Sequence, residues 1–259
     1  MELPIFQADA FASRLFGGNP AAVVLLPQWL PDATLQAIAA ENNLAETAFV
    51  IPLQGEFGLR WFTPEVEVDL CGHATLASAH ILFQHGYATP PSVVFRYQGG
   101  TLTVTQQGDL LALCFPSRPP QPAQCDAAVI AALGATPREV YRARDLLAVF
   151  DTQEEVESLR PDFHAIGMLD TFAVIVSAPG QACDFVSRFF APRVGIPEDP
   201  ATGSSHCTLV PYWSKRLGKT QLHALQLSRR RGEIFCAYRG EQVEIAGRVV
   251  EYLRGHISL

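Results

Sequence analysis

Lysine is nearly absent from this 259-residue chain, which carries only Lys215 and Lys219. Both lie well beyond the turn at Asp199–Ser204, which argues against a lysine-anchored pyridoxal cofactor. The Gly218-Lys219-Thr220 triplet resembles the end of a phosphate-binding loop. The first glycine of that motif would fall at Trp213, however, and the triplet follows a helical pattern instead of opening one. No Gly-x-Gly-x-x-Gly follows the first strand, and no serine sits in a Gly-x-Ser-x-Gly elbow. Close cysteine pairs are missing too. Cys71, Cys114, Cys125, Cys183, Cys207 and Cys236 are scattered without a C-x-x-C, and a chain of this size needs no disulfide framework. Charge is sparse, at 17% of residues with a formal net of -7. That balance excludes phosphate-backbone binding as the main activity. The longest basic run, Arg229-Arg230-Arg231, reads as a solvated loop, with a carboxylate-binding role left open for one arginine. Apolar runs such as Ala21–Leu26 are too short to span a bilayer. Met1-Glu2-Leu3-Pro4 lacks the basic start and apolar core of a signal peptide. Together these absences predict a cytoplasmic protein with free thiols, no nucleic-acid partner and no membrane partner.

Hydrophobic residues make up 48% of the chain, enough for a large core, and its length suits two domains as well as one. Strand-like segments cover 20–26, 44–52, 58–62, 93–97, 101–105 and 110–115. A helix is predicted over Pro31–Asn43, capped by Asp32 with Leu35, Ile38 and Ala39 as its apolar stripe, and another over Ala74–His85, closed by Gly86. The proline-rich stretch 116–122 is the best linker. Beyond it come a short helix at Asp126–Leu133, a strand at Leu146–Phe150, a helix opened by a Thr152–Glu155 capping box, and a strand at Phe172–Val176.

The second half repeats the first. Cys71-Gly72-His73-Ala74-Thr75 and Thr202-Gly203-Ser204-Ser205-His206 both lead from a loop into a helix, and their glycines are 203 − 72 = 131 positions apart. Gly100-Thr101-Leu102 and Gly232-Glu233-Ile234 recur at 232 − 100 = 132. Two landmarks at nearly one offset indicate a duplication. A looser third pair joins Glu46-Thr47 to Asp170-Thr171, at 170 − 46 = 124. A duplicated unit predicts two half-domains with a cleft between them and two helix N-termini offering amides to an anion.

Glu46 stands in a mostly apolar run; facing a cleft, it would be favoured in its neutral form by desolvation. The plainer reading, an exposed carboxylate at a strand edge, leads from that segment alone. His73 sits where a helix begins, and an isolated histidine there is more often structural. His73 and His80 could share a helix face, but no third ligand follows at a metal-like spacing, so no metal is expected. In Glu198-Asp199-Pro200-Ala201-Thr202-Gly203-Ser204-Ser205-His206 a tight turn carries a carboxylate and a hydroxyl at its ends. A well-capped helix start accounts for it as well as a functional site does.

Taken together, Asp9-Ala10-Phe11, Gly18-Asn19-Pro20-Ala21, Glu46-Thr47-Ala48-Phe49, Arg60-Trp61-Phe62-Thr63-Pro64, Asp69 to Thr75 and Glu198 to Ser204 resemble the phenazine-biosynthesis-like (PhzF-like) family. That family shares a fold with diaminopimelate epimerase. The resemblance implies an α+β fold of two pseudo-symmetric epimerase-like domains, 1–117 and 118–259, each a mostly antiparallel sheet wrapped around a central helix. The last strand is free to pack on the N-terminal half. It also implies a cofactor-free isomerase, with Glu46 as general acid/base on a small carboxylic acid bound between the domains. Catalytic positions map onto Glu46, His73, Asp199 and Ser204, and substrate-binding positions onto Asn19, Gly72, Thr202 and Gly203. A homodimer would fit the family. Two-base racemases of this fold place a cysteine at each helix start; here the pair is Cys71 and Thr202, and a threonine hydroxyl is too weakly acidic for that role. Cys71 is then expected to be a small buried residue. An epimerase using Cys71 as one base and a non-catalytic metabolite-binding or scaffold protein are the alternatives.

Overall fold

The computed structural model describes residues 1–259. The chain divides into two compact units, one formed by Met1–Cys114 with Ala246–Leu259 and the other by Phe115–Ile245. No helix is long and apolar enough to cross a membrane.

In the first unit, strand Glu2–Ala10 pairs antiparallel with both Asn19–Leu25 and Val249–Ser258. Asn19–Leu25 runs parallel to Glu46–Pro52, which pairs antiparallel with Phe57–Phe62. Phe57–Phe62 meets Ser92–Tyr97 in parallel, and that strand turns back into Gly100–Gln107. Two helices complete the unit: α1 (Asp32–Asn42) and α2 (Gly72–Gln84). The α1 stripe of Leu35, Ile38 and Ala39 enters a core with Leu3, Val24, Phe49 and Phe62. Its N-cap is Pro31, and Asp32 makes no capping bond. The carboxylate instead pairs with Arg60 at 2.9 Å, and the left-handed Asn43 closes the helix.

Helix α2 is buried from His73 to Ala79 and again at Ile81 and Leu82. A helix without a polar face can exist only inside a core, and α2 touches the strands at 2–10, 19–25, 46–52, 100–107 and 249–258. Its buried hydroxyls are satisfied within the helix: Thr75 donates to the Cys71 carbonyl at 2.6 Å and Ser78 to that of Ala74 at 2.8 Å. The helix begins two residues earlier than its apolar pattern predicts, because Cys71 is extended and Gly72 is already helical. His85 is the C-cap, with Gly86 following at φ +73°.

The second unit repeats this order of pairings. Glu139–Arg142 and Leu146–Val149 are antiparallel, and the latter runs parallel to Val174–Pro179. Val174–Pro179 is antiparallel to Phe185–Phe190, which meets Gln221–Gln226 in parallel. Gln221–Gln226 then turns back into Gly232–Tyr238. Its helices are α3 (Ala127–Leu133), α4 (Gln153–Ser158), α5 (Phe163–Met168) and α6 (His206–Leu217). Helix α6, buried from His206 to Ser214, is the counterpart of α2. The Thr152–Glu155 capping box opens α4 as its sequence predicts.

Register tests the proposed repeats directly. Gly100 opens its strand opposite Tyr97, and Gly232 opens its own opposite Gln226, so that match holds. The looser match does not. Thr47 faces Phe62 as Val174 faces Phe190, so this strand repeats at 174 − 47 = 127 and Glu46 aligns with Ala173. Asp170 and Thr171 lie ahead of the strand, which begins at Val174, two residues later than the sequence suggests.

Candidate active site

Four polar side chains converge in the first unit. Asn19 opens strand Asn19–Leu25 and is fully buried. Gly18 sets its position: at φ +57°, an added Cβ would lie 2.1 Å from the Ala10 carbonyl oxygen, so only glycine makes this approach. Glu46 opens the parallel neighbour, with Ala21 in register beside it. Cys71 and His73 come from the start of α2. Glu46 is 9% exposed and His73 5%, so the edge-carboxylate reading of Glu46 fails.

His73 is the hub. Its Nε2 lies 3.1 Å from Glu46 Oε2, and neither atom makes an aligned hydrogen bond; the contact is a close ion-pair approach. Its Nδ1 lies 3.4 Å from Cys71 Sγ and 3.2 Å from Asn19 Nδ2. Burial works against a charged imidazole, yet Cys71 and Glu46 on its two nitrogens hold its pKa well above the usual 6.5. Burial, with the Glu46 charge adding to it, pushes the Cys71 thiol up. Gly72, half-buried, is the first residue of α2. The first-turn amides of Gly72, His73 and Ala74 have no carbonyl within the helix, since the ladder starts with Thr75 donating to Cys71.

Glu46, Cys71 and His73 bring a carboxylate, a thiol and an imidazole within 4.8 Å of one another. Sequence spacing conceals this third ligand type, because Glu46 arrives from a different strand. The imidazole turns Nδ1 to Cys71 and Nε2 to Glu46. Two ligands converging on one ion would have to share the same nitrogen's side. His80 does not belong to the group.

In the second unit, Asp199 is buried, and its Oδ2 accepts a short hydrogen bond from the Thr202 hydroxyl. Gln226 knits the turn together. Its Oε1 accepts from the Thr202 amide at 2.8 Å, and its Nε2 donates to the Asp199 carbonyl at 2.8 Å and to Thr202 Oγ1 at 3.1 Å. Thr202 therefore has both its amide and its hydroxyl engaged inside the turn. Arg188 grips the neighbouring Glu198 with two bonds, at 2.7 and 3.0 Å, and donates to the carbonyls of Val156 and Leu159 at 3.1 Å. Gly203, Ser204 and Ser205 form a tight turn into α6, with His206 donating its amide to the Gly203 carbonyl at 3.0 Å and Cys207 to that of Ser204 at 3.3 Å. His206 is wholly buried, its Nδ1 is 2.8 Å from the Thr202 carbonyl, and burial lowers its pKa to about 4. Neither Gln226 nor Arg188 is marked in the sequence: both are ordinary polar residues within strands.

Comparisons with known proteins run over nearly the whole length of the chain. A model of the phenazine biosynthesis-like protein family (PhzC-PhzF) matches residues 8–255. A Pseudomonas aeruginosa protein described as an uncharacterized isomerase is 49% identical over 259 residues, covering 100% of both chains. The crystal structure of a PhzF-family phenazine biosynthesis protein from Enterococcus faecalis matches with a TM-score of 0.98 at 45% identity, over 100% of each chain. A hydroxyproline epimerase from Agrobacterium vitis shares the fold alone, with a TM-score of 0.65 at 9% identity over 100% of this chain and 93% of its own. The fold is the α+β architecture of two pseudo-symmetric epimerase-like domains that the sequence predicts. With its motifs, register and full-length relatives in agreement, the chain belongs to the phenazine biosynthesis-like (PhzC-PhzF) family.

Proposed function

We propose that this chain is an isomerase that moves a proton on a small carboxylic acid, with Glu46 as the general acid/base and no cofactor. The carrying observation is the buried approach of Glu46 to His73 at 3.1 Å. A buried carboxylate placed beside an imidazole can take a proton from a C–H next to an acid group and return it, without bulk water intervening. The first-turn amides of α2 suit the substrate carboxylate or the oxyanion that develops as the proton leaves. In this reading Asn19 orients His73, and Gly72 presents a backbone amide to the substrate. Thr202 and Gln226 hold Asp199 in place. The Pseudomonas aeruginosa relative described as an isomerase supports the reaction class.

The epimerase reading has one observation in its favour, the Cys71 sulfur 3.4 Å from His73 Nδ1. Against it stand the raised thiol and the Thr202 hydroxyl, already bonded to Asp199. A thermal-shift screen of metabolite extracts supplies the ligand for a direct test. Glu46→Gln should slow solvent-deuterium exchange into that ligand by at least about a hundredfold while binding persists. Undiminished exchange in Glu46→Gln would sink the assignment. Complete loss in both Cys71→Ala and Cys71→Ser would favour the epimerase.

A further inference from the structure

Cys71 stands apart from the other buried thiols. Its sulfur lies 3.4 Å from His73 Nδ1, on the far side of the ring from Glu46. The imidazole is thus held at both ends. Asn19, 3.2 Å from the same Nδ1, closes the third side. All four groups are buried, so no solvent competes for these contacts.

We infer that Cys71 is a positioning residue for the acid–base pair: its sulfur engages Nδ1 of His73, keeping Nε2 aimed at Glu46 and the ring in its doubly protonated form. The role rests on the reading of Glu46 as the proton carrier, but the contact itself can be tested without substrate. An imidazolium donates from both nitrogens and needs an acceptor at each. The Glu46 carboxylate faces Nε2 at 3.1 Å, and at Nδ1 the facing acceptor is the Cys71 sulfur at 3.4 Å, with the Asn19 amide 3.2 Å from the same nitrogen.

Other charges do not reach the ring. Of the strands packed on α2, 2–10 brings buried Asp9, whose Oδ2 accepts from the Phe16 amide at 3.0 Å. Strand 249–258 brings Glu251, which pairs with His85 at 2.7 Å, together with Arg254 and His256, neither of which acts on the His73 ring. The strands at 19–25 and 100–107 carry no ionisable side chain. Glu46 and Cys71 are the ionisable groups acting on His73. Cys71 differs in this from Cys236, a buried thiol of the second unit whose pKa is raised by burial with Cys207 adding to it.

The test is a pH titration of the unliganded, full-length protein carrying ¹⁵N-histidine, followed by two-bond ¹H–¹⁵N correlation. In the wild type, both His73 nitrogens should carry protons at pH 7. Cys71→Ala should lower the His73 midpoint by about one pH unit; Cys71→Ser, which keeps a polar atom there, should lower it less, and Cys236→Ala should leave it in place. With the extract ligand, Cys71→Ala should move the pH profile of exchange in the same direction and keep residual activity. An unchanged midpoint in Cys71→Ala overturns the inference, and so does a neutral His73 in the wild type at pH 7. The wild-type spectrum decides the matter even if a variant fails to fold. Loss of exchange in Glu46→Gln is read separately, so the two proposals can fail independently.

Discussion

At the scale of single residues, the two helix-start histidines are opposites. His73 is kept charged by Cys71 and Glu46 although burial opposes it, whereas His206 is kept neutral by burial, with its Nδ1 hydrogen donated to the Thr202 carbonyl. Linkage gives each a sign. The His206 pKa is lowered from 6.5 to about 4 on folding, so its neutral burial costs nothing above the unfolded value. Between pH 6.5 and about 4 the unfolded chain takes up the proton first, and stability falls as pH falls, by about 3 kcal/mol across the window. His73, with a raised value, contributes stability at low pH and loses it as pH rises through its folded pKa. Urea unfolding of wild type and His206→Asn from pH 7 to 4.5 should therefore diverge, with wild type losing more. Parallel curves would show that His206 is not the group responsible. Little of this was legible in the sequence. Glu46 alone read as an edge carboxylate, because a flanking apolar run does not say which neighbours a strand end will meet. Asn19, Glu46 and His73 stand out only through the resemblance, and Cys71 is the small buried residue the sequence predicts, but spacing cannot show a sulfur facing a ring nitrogen.

At the scale of elements, helix boundaries followed local chemistry where the caps were explicit. The Thr152–Glu155 box opens α4 as read, and Gly134 ends α3 in the left-handed region. They departed from it where backbone geometry decided: α2 starts at Gly72, before its apolar stripe, and Asp32 is drawn off to Arg60. The strand Phe185–Phe190 and its Arg188 anchor were missed, since a basic residue in a buried strand contradicts the usual pattern. Its burial is bearable only because two carboxylate oxygens and two carbonyls meet the guanidinium. Arg188→Met leaves Glu198 without its cation and takes one donor from each of two carbonyls, of which Leu159 keeps Arg160 Nη1 at 3.0 Å, and should cost about 3 kcal/mol. Arg188→Lys should recover little, because an ammonium cannot reproduce the paired bonds. Chemical denaturation of the three proteins checks both statements, and a loss below about 1 kcal/mol in Arg188→Met would remove the anchor role.

At the scale of the whole molecule, the duplication was legible from two glycine landmarks, and the order of parallel and antiparallel pairings repeats in both units. The division of the chain was harder to read, because the first unit is discontinuous. Strand Val249–Ser258 pairs along the length of Glu2–Ala10. Phe115–Ile245 is a single continuous segment with its own core. A fragment spanning 115–245 should therefore unfold cooperatively by circular dichroism. Residues 1–245 should aggregate, because removing the partner strand turns Glu2–Ala10 into an open edge. A soluble, cooperatively folded 1–245 protein would contradict this account.

The discontinuity also bears on the timing of synthesis. A ribosome releases domains in order, and an N-terminal domain ordinarily folds while the rest is still being made. Here the first unit must wait for Val249–Ser258, although Asn19, Glu46, Cys71 and His73 leave the tunnel early. The second unit is synthesised in full during that interval and can fold first. The unit that holds Asn19, Glu46, Cys71 and His73 is thus completed last, so an unfinished chain would carry all four residues of the proposed site without its supporting strand.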